Sequence, residues 1–346
     1  MNIVKPSAEI INPKGIMAAE ELIEIVARTC YKSEDKIAPG SAHKFVQGLI
    51  KRNHLAMLEH ATIIFRMGNR FLREMSEDVL ETDSPDLYLK YINISTDSDE
   101  ISALDLLDPS FVYRNCNIVS TNVRVLVSLY NEIYSLDGLT VDSMYPTLNI
   151  LFKKLYEFGY GGLFPYQSAF EYAPSHLHFD VKPISRAELL EKNFAEFEVK
   201  KHITHTIKFV CDRGVSHELV RHRPCSFAQE YTRYCNYSKG KFGSELTFIE
   251  PCFLKDDVDF RLWHHLCESI EGEYFDWLSY GYSPQEARCL LPNCLKTEII
   301  LTATEQEWEH ILDLRLRGTT GKPHPQMIEV MKIAYPLLKE ASNGRL

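Results

Sequence analysis

Apolar residues recur along the chain with two periods, and the switches between them predict the elements. Residues 8–11 (AEII) read as a short strand stopped by Asn12-Pro13. From 18 to 31, Leu22, Ile23, Ile25, Val26 and Cys30 fall at helical spacing, with Glu20, Glu21 and Glu24 toward the end where the helix dipole favours carboxylates. A second amphipathic helix is expected over 41–52, burying Phe45, Val46, Leu49 and Ile50, ahead of the strand-like ATIIFRM at 61–67. Helices are predicted over 123–134, after the cap-rich Ser120-Thr121-Asn122, and over 145–158, ending at Gly159. Period two returns from Lys201 to Val210, followed by a helix over 214–223 that Pro224 stops, leaving Ser226 to Tyr234 extended. Strands at 246–249 and 297–302 alternate with helices at 258–278, from Ser283, at 305–315 and at 326–338. Residues 70–200 change character: acidic, Ser-rich pieces and the aromatic, proline-punctuated LFPYQSAFEYAPSHLHFDVKP read as an insertion with loop. The expected organisation is a core of 1–70 plus 200–346 and an insertion or subdomain over 71–199.

Composition narrows the function classes. With 346 residues, 45% of them apolar, the chain has ample material for a core. Its net charge of -10 argues against general nucleic-acid binding, which needs a basic face. Nine scattered cysteines with no CxxC pair, no basic and apolar leader, and no bilayer-length apolar run together predict a reduced, soluble, cytoplasmic protein. No metal site is expected: His176 and His178 have no Cys or carboxylate partner at ligand spacing. Gly318 to Pro325 has a phosphate-loop look but lacks the GxxxxGK[ST] spacing.

Against that acidic background, RHRPCSFAQEYTRYCNY at 221–237 concentrates Arg221, His222, Arg223 and Arg233 among Phe227, Tyr231, Tyr234 and Tyr237. Arginine forks match phosphate and carboxylate oxygens, and interleaved aromatics suit a planar ligand carrying a phosphate. His54, Glu59 and His60 crowd polar groups beside apolar ones before a predicted strand. They are as compatible with a ligand contact as with histidines satisfied by backbone.

Several blocks then occur in one order. They are His54 with Glu59-His60, Ser216-His217-Glu218 through Arg223, Ser226-Phe227-x-Gln229 with Arg233-Tyr234, Ala287-Arg288-x-x-Leu291-Pro292, Leu314-Arg315, and His324-x-Gln326. Together they resemble the flavin-dependent thymidylate synthase family, over about residues 18–67 and 201–338. The resemblance implies an α+β fold, a mixed or antiparallel sheet packed with helices and interrupted by the long insertion. It implies reductive methylation of dUMP to dTMP with FAD as cofactor, NADPH and methylenetetrahydrofolate as co-substrates, and a homotetramer. Arg315 then takes the catalytic position against the uracil ring. Glu218, Arg221, Gln229, Tyr231, Thr232, Arg233, Arg288 and Arg315 take the dUMP positions, and His54, Arg221, His222, Arg223, Gln229, Thr304, Gln306, His310 and His324 the FAD positions. No cysteine nucleophile is implied, so Cys225 and Cys235 are expected to be inert. The chain departs from the family pattern at Tyr231, where a serine is usual, at Ala228, and at Thr304-Glu305-Gln306, where Asn-x-Arg is common; Glu305 would place a negative charge near an anionic cofactor. The same departures fit an alternative, a non-catalytic or altered-specificity nucleotide-binding homologue on the same fold.

Overall fold

Two antiparallel sheets, each of four strands, organise the chain in the computed structural model. The structure describes residues 1–85, 88, 90, 92–95, 117–135, 145–164, 181–191, 195–231, 237 and 243–346. Contacts divide it into two units, one of Met1–Lys14, Ile25–Ile37 and Thr204–Leu346, the other of Gly15–Glu24 and Ala38–Ile203. Helix and antiparallel sheet together make this an α+β protein. The division differs from the boundaries expected from sequence: 38–70 groups with 71–203, because the strand at 62–67 pairs with strands at 117–122 and 181–184.

In the first unit the sheet order is β2 (Ser7–Ile11), β7 (Thr204–Asp212), β10 (Lys296–Thr304), β8 (Ser226–Gln229). β7 and β10 pair over nine residues, from Lys296↔Asp212 to Thr304↔Thr204. Alternate residues on one face, Ile207, Phe209 and Cys211 with Ile299, Leu301 and Ala303, are buried with residues of α8 (Arg213–Leu219), α11 (Glu305–Leu312) and α12 (Pro325–Ala341). The other face carries charge. Glu298 meets Lys208 at 2.7 Å, Lys296 at 2.6 Å and also Lys32, while Lys296 reaches Glu230 at 3.0 Å. Burial alone would push the Glu298 carboxyl up, and the surrounding lysines reverse this and hold it well below the usual carboxylate range. The cluster anchors the chain leaving β8: Glu230 N donates to Glu298 O at 2.8 Å and Tyr231 N to Cys30 O at 3.2 Å. A parallel pair, β1 (Asn2–Val4) with β9 (Thr247–Ile249), packs near α9 (Asp257–Ser279), whose Cys267 and Tyr274 are buried with Phe248 and Tyr237. A short helix, α10 (Pro284–Ala287), comes next.

Within this unit Glu305 is fully buried. It accepts from Arg345 at 2.7 and 2.6 Å and meets His205 Nε2 at 2.8 Å. Its charge therefore belongs to a core ion pair, correcting the expectation that it lies beside a cofactor; as the first residue of α11 its side chain turns inward, ahead of buried Trp308.

In the second unit the order is β4 (Ile92–Ser95), β5 (Asn117–Asn122), β3 (Thr62–Met67), β6 (Val181–Ile184). Its helices are α2 (Ser41–Lys51), α3 (Asn69–Leu80), α4 (Val123–Ser135), α5 (Pro146–Leu155), α6 (Arg186–Leu190) and α7 (Glu196–His202), while α1 (Ala19–Tyr31) contributes residues to both units. β6 falls where loop is expected. Its Pro183 obscures the strand, and an edge position is where a residue without an N–H is tolerated. α3 occupies the start of the stretch expected to be irregular, with Phe71, Leu72, Met75 and Val79 buried at helical spacing. His202 ends α7 where a strand is predicted, so β7 starts at Thr204. The His202 ring, 1% exposed, lies 2.8 Å from Ser120 Oγ at Nδ1 and 2.8 Å from Ser95 Oγ at Nε2. Burial pushes its pKa down to about 4. His176 and His178 lie outside the described residues.

These buried groups tie stability to pH and to one arginine. A histidine depressed in the fold is protonated more readily when unfolded, so its stabilisation is complete above about 6.5 and is lost as pH falls toward about 4. Urea midpoints should drop over that window, and His202→Gln should flatten the drop. Arg345→Ala strands a buried carboxylate and should cost about 3–5 kcal/mol in chemical denaturation, with Arg345→Lys recovering part of it.

Candidate functional site

The chain enters the site from β7. Asp212 ends that strand and caps α8, its Oδ1 accepting from Val215 N at 2.9 Å, while Oδ2 accepts from Gln326 Nε2 at 3.0 Å and so ties the start of α12 to the same carboxylate. α8 is shorter than the helix predicted to Arg223. Arg221 N and His222 N bond three residues back, to Glu218 O and Leu219 O, which tightens the last turn and sends Arg221–Arg223 out of the helix. Arg221 and Arg223 are exposed and His222 is buried.

From the other side α11 continues from β10. Thr304 caps it, its hydroxyl accepting from Glu307 N at 3.2 Å. One wide turn, Asp313–Arg317, then carries Arg315 and closes at Gly318, whose N–H donates to Asp313 O. Gly318 has φ +71, and an added Cβ would sit 3.1 Å from Gly321 O and from Pro323 Cδ, so this close return of the chain requires glycine.

Arg315 is the most constrained cation of the group. Its Nη1 donates to Glu218 Oε2 at 2.7 Å, Nη2 to Glu218 O at 3.1 Å and Nε to His222 Nε2 at 3.1 Å. Three of the five guanidinium protons are thereby committed and the plane is fixed. Glu218, Arg221, Arg315, Lys322 and His324 line a pocket of about 620 Å³. Arg288 lines a different one, of about 510 Å³, with Arg213 and Gln285.

Among the described residues, structure thus brings Glu218, Arg221, His222, Arg315 and His324 together. His310 joins through its ring, 6.0 Å from His222 and near-perpendicular to it. Gln229 faces inward, donating to Ser216 Oγ at 2.9 Å and Thr297 Oγ1 at 3.1 Å. Gln306, Arg223 and Tyr231 are exposed, and Thr304 spends its hydroxyl on the cap. His54 is exposed in the second unit, just ahead of the short helix Leu55–His60. Thr232, Arg233 and Cys235 lie outside the described residues. Burial pushes the Cys225 thiol far up, so it is a neutral thiol rather than a nucleophile.

Sequence reasoning missed Lys322 and Glu307. Lys322 carried a signal in the loop before Pro323-His324-Pro325, set aside with the absent phosphate-loop spacing. Glu307 precedes His310 by three residues and so shares its helix face. With His222 they bring three ligand-type atoms within 4.8 Å of one another. Arg315 Nε, always a donor, fixes the His222 proton on Nδ1, which faces Glu307 Oε1 at 3.7 Å. The ring is thereby committed to orienting Arg315, and the neighbouring guanidinium opposes a second cation.

Arg221, Arg315, Lys322 and His324 give this pocket of the α+β fold a lining suited to an anion. Residues 185–342 match the family described as thymidylate synthase complementing protein. The chain is 29% identical over 144 residues to a flavin-dependent thymidylate synthase of Pyrococcus furiosus, covering 41% of this chain and 56% of that one. It is 30% identical over 151 residues to that of Thermococcus kodakarensis, covering 43% and 58%, and 34% identical over 113 residues to that of Corynebacterium efficiens, covering 30% and 45%. The chain therefore spans little more than half the length of the first two relatives. Residues 185–342 are thus similar to the flavin-dependent thymidylate synthases over a little under half of the chain.

Pyrophosphate should protect the protein against thermal unfolding, and Arg221→Ala should weaken its apparent affinity about ten-fold or more in a melting-temperature titration. Equal affinity in the variant would place the anion elsewhere.

Proposed function

We propose that the protein is a flavin-dependent thymidylate synthase, methylating dUMP to dTMP with methylenetetrahydrofolate and NADPH as co-substrates. The observation that carries this is Arg315, a guanidinium fixed by Glu218 and His222 at the wall of a basic pocket. Methylation at C5 of uracil needs electron density there. A cation held in place before the reaction stabilises negative charge developing on the ring without reorganising. Arg315 is thus the proposed catalytic residue. Glu218 and Arg221 would bind the nucleotide beside it, with Arg288, Gln229, Tyr231, Thr232 and Arg233 as further nucleotide contacts.

The residues present fit a dinucleotide cofactor: Arg221 and Lys322 offer charge for a diphosphate, and His324 and the His222–His310 pair offer rings and N–H groups. FAD bound there would supply the two reducing electrons. Arg221, His222, Arg223, His310 and His324 would hold it, with His54, Gln229, Thr304 and Gln306 as the remaining candidates. We place the family-type site in the 200–346 part of the chain and propose a cytoplasmic homotetramer. Exposed Val258, Leu262 and Leu266, spaced by four along α9, support self-association. No described helix is long and apolar enough to cross a membrane.

One observation favours a second reading, a non-catalytic or altered-specificity nucleotide-binding homologue: the Thr304 hydroxyl caps a helix and Gln306 carries no basic group.

The purified protein should be yellow or take up added FAD, and should oxidise NADPH in a dUMP-dependent reaction. Arg315→Lys should lower kcat by roughly 100-fold while nucleotide binding changes far less, because a point charge cannot reproduce the fork. A colourless protein that binds no FAD would sink the synthase reading, and nucleotide binding without turnover would establish the second.

A further inference from the structure

Among the described residues the chain repeats one order of elements. Residues 7–155 run β2, α1, α2, β3, α3, β4, β5, α4, α5. Residues 181–341 run β6, α6, α7, β7, α8, β8, β10, α11, α12, with β9, α9 and α10 inserted before β10. The sheets repeat as well: β2-β7-β10-β8 in one and β6-β3-β5-β4 in the other, every pair antiparallel. β3 takes the place of β7, β5 of β10, and β4 of β8. The edge strands are crossed: β2 opens the first series but pairs with β7 of the second, and β6 opens the second but pairs with β3 of the first.

Side chains repeat too. Asn122 ends β5 and caps α4 by accepting from Val125 N at 3.1 Å, as Thr304 ends β10 and accepts from Glu307 N at 3.2 Å. Counted from these caps, buried Leu126 and Leu129 match buried Trp308 and Ile311. Counted from the helix starts, Gly68 before α3 and Asp212 before α8, residues 69–79 lie against 213–223 and set Glu74 opposite Glu218.

The same alignment sets Glu77-Asp78-Val79 against Arg221-His222-Arg223. Each of the three serves the fold. Glu77 pairs with Arg73 at 3.0 Å, buried Asp78 accepts from Thr147 N and Leu148 N at 2.8 and 2.9 Å, and Val79 is buried. Opposite Arg315, by the cap count, stands fully buried Ile133.

We infer that the chain is two copies of one scaffold with exchanged first strands, and that it holds a single anionic-ligand site of this kind, in the second copy. The first copy has given the equivalent positions to packing. That the anion is a nucleotide rests on the proposed function; the copy count and the exchange do not.

Two measurements on the full chain test this. Equilibrium dialysis with dUMP and with pyrophosphate should give one bound anion per chain, and Arg221→Ala combined with Arg315→Ala should abolish it. Pyrophosphate bound once without dUMP would sink the synthase reading alone. Two anions per chain, binding that survives the double variant, or no binding of either would overturn the single site. In hydrogen exchange, Ile10→Ala should speed exchange in 204–212 by about ten-fold with 62–67 unchanged, and Ile184→Ala should do the reverse. Acceleration confined instead to the strand of the same series would overturn the exchange.

Discussion

The nine-residue pairing of β7 with β10 is the constraint on which the first unit rests. It buries one row of side chains against three helices, and it sets two helix starts at opposite ends of the pair, at Asp212 and Thr304. α8 carries Glu218 and delivers Arg221, and α11 leads into the turn with Arg315. The Arg315–Glu218 contact, at 2.7 Å, is therefore a product of strand register. A slip by one residue would turn every buried side chain of these strands to the charged face, and neither helix would start where it does.

Charge is used in two ways around that pair. On the apolar side the carboxylate of Glu305 is neutralised by Arg345, meets the His205 ring and contributes to the core. On the opposite face Glu298 gathers three lysines and fixes the backbone that leaves β8 toward Tyr231. The pocket differs from both: its carboxylate, Glu218, holds Arg315, while Arg221 and Lys322 stand at the wall with net positive charge. In an acidic chain this local excess is what an anion would find.

Much of the second half was legible in its residues. Period-two runs gave β7 and β10, and helical spacing gave α9, α11 and α12 within a few residues. Arg221, His222, Arg315 and His324 came to one pocket wall or its margin, while Arg223 stayed exposed. Less was legible where tertiary contacts decide. α3 looked irregular beside acidic neighbours, Pro183 masked an edge strand, and the grouping of residues 38–70 with 71–203 could not be read locally because their partners lie far along the chain. Side-chain direction was the other gap: Glu305 turns into the core, and nothing local distinguishes an inward first helical residue from an outward one. The repeat stayed hidden because burial and capping preserve it while residue identity does not.

The wide turn at 313–317 limits how the chain tolerates change in length. A turn closed five residues back holds one residue more than an α-helical turn. Losing Asp313 or Leu314 from it would let the helix resume its ordinary winding and carry Arg315 back by one position, roughly 100° about the axis. The guanidinium of Arg315 would then leave Glu218 and His222 with its chemistry intact. Deletion tolerance ahead of Arg315 is set by the count of residues rather than by their kind, so a one-residue gap there in a relative would mark a lost site even where the arginine is kept.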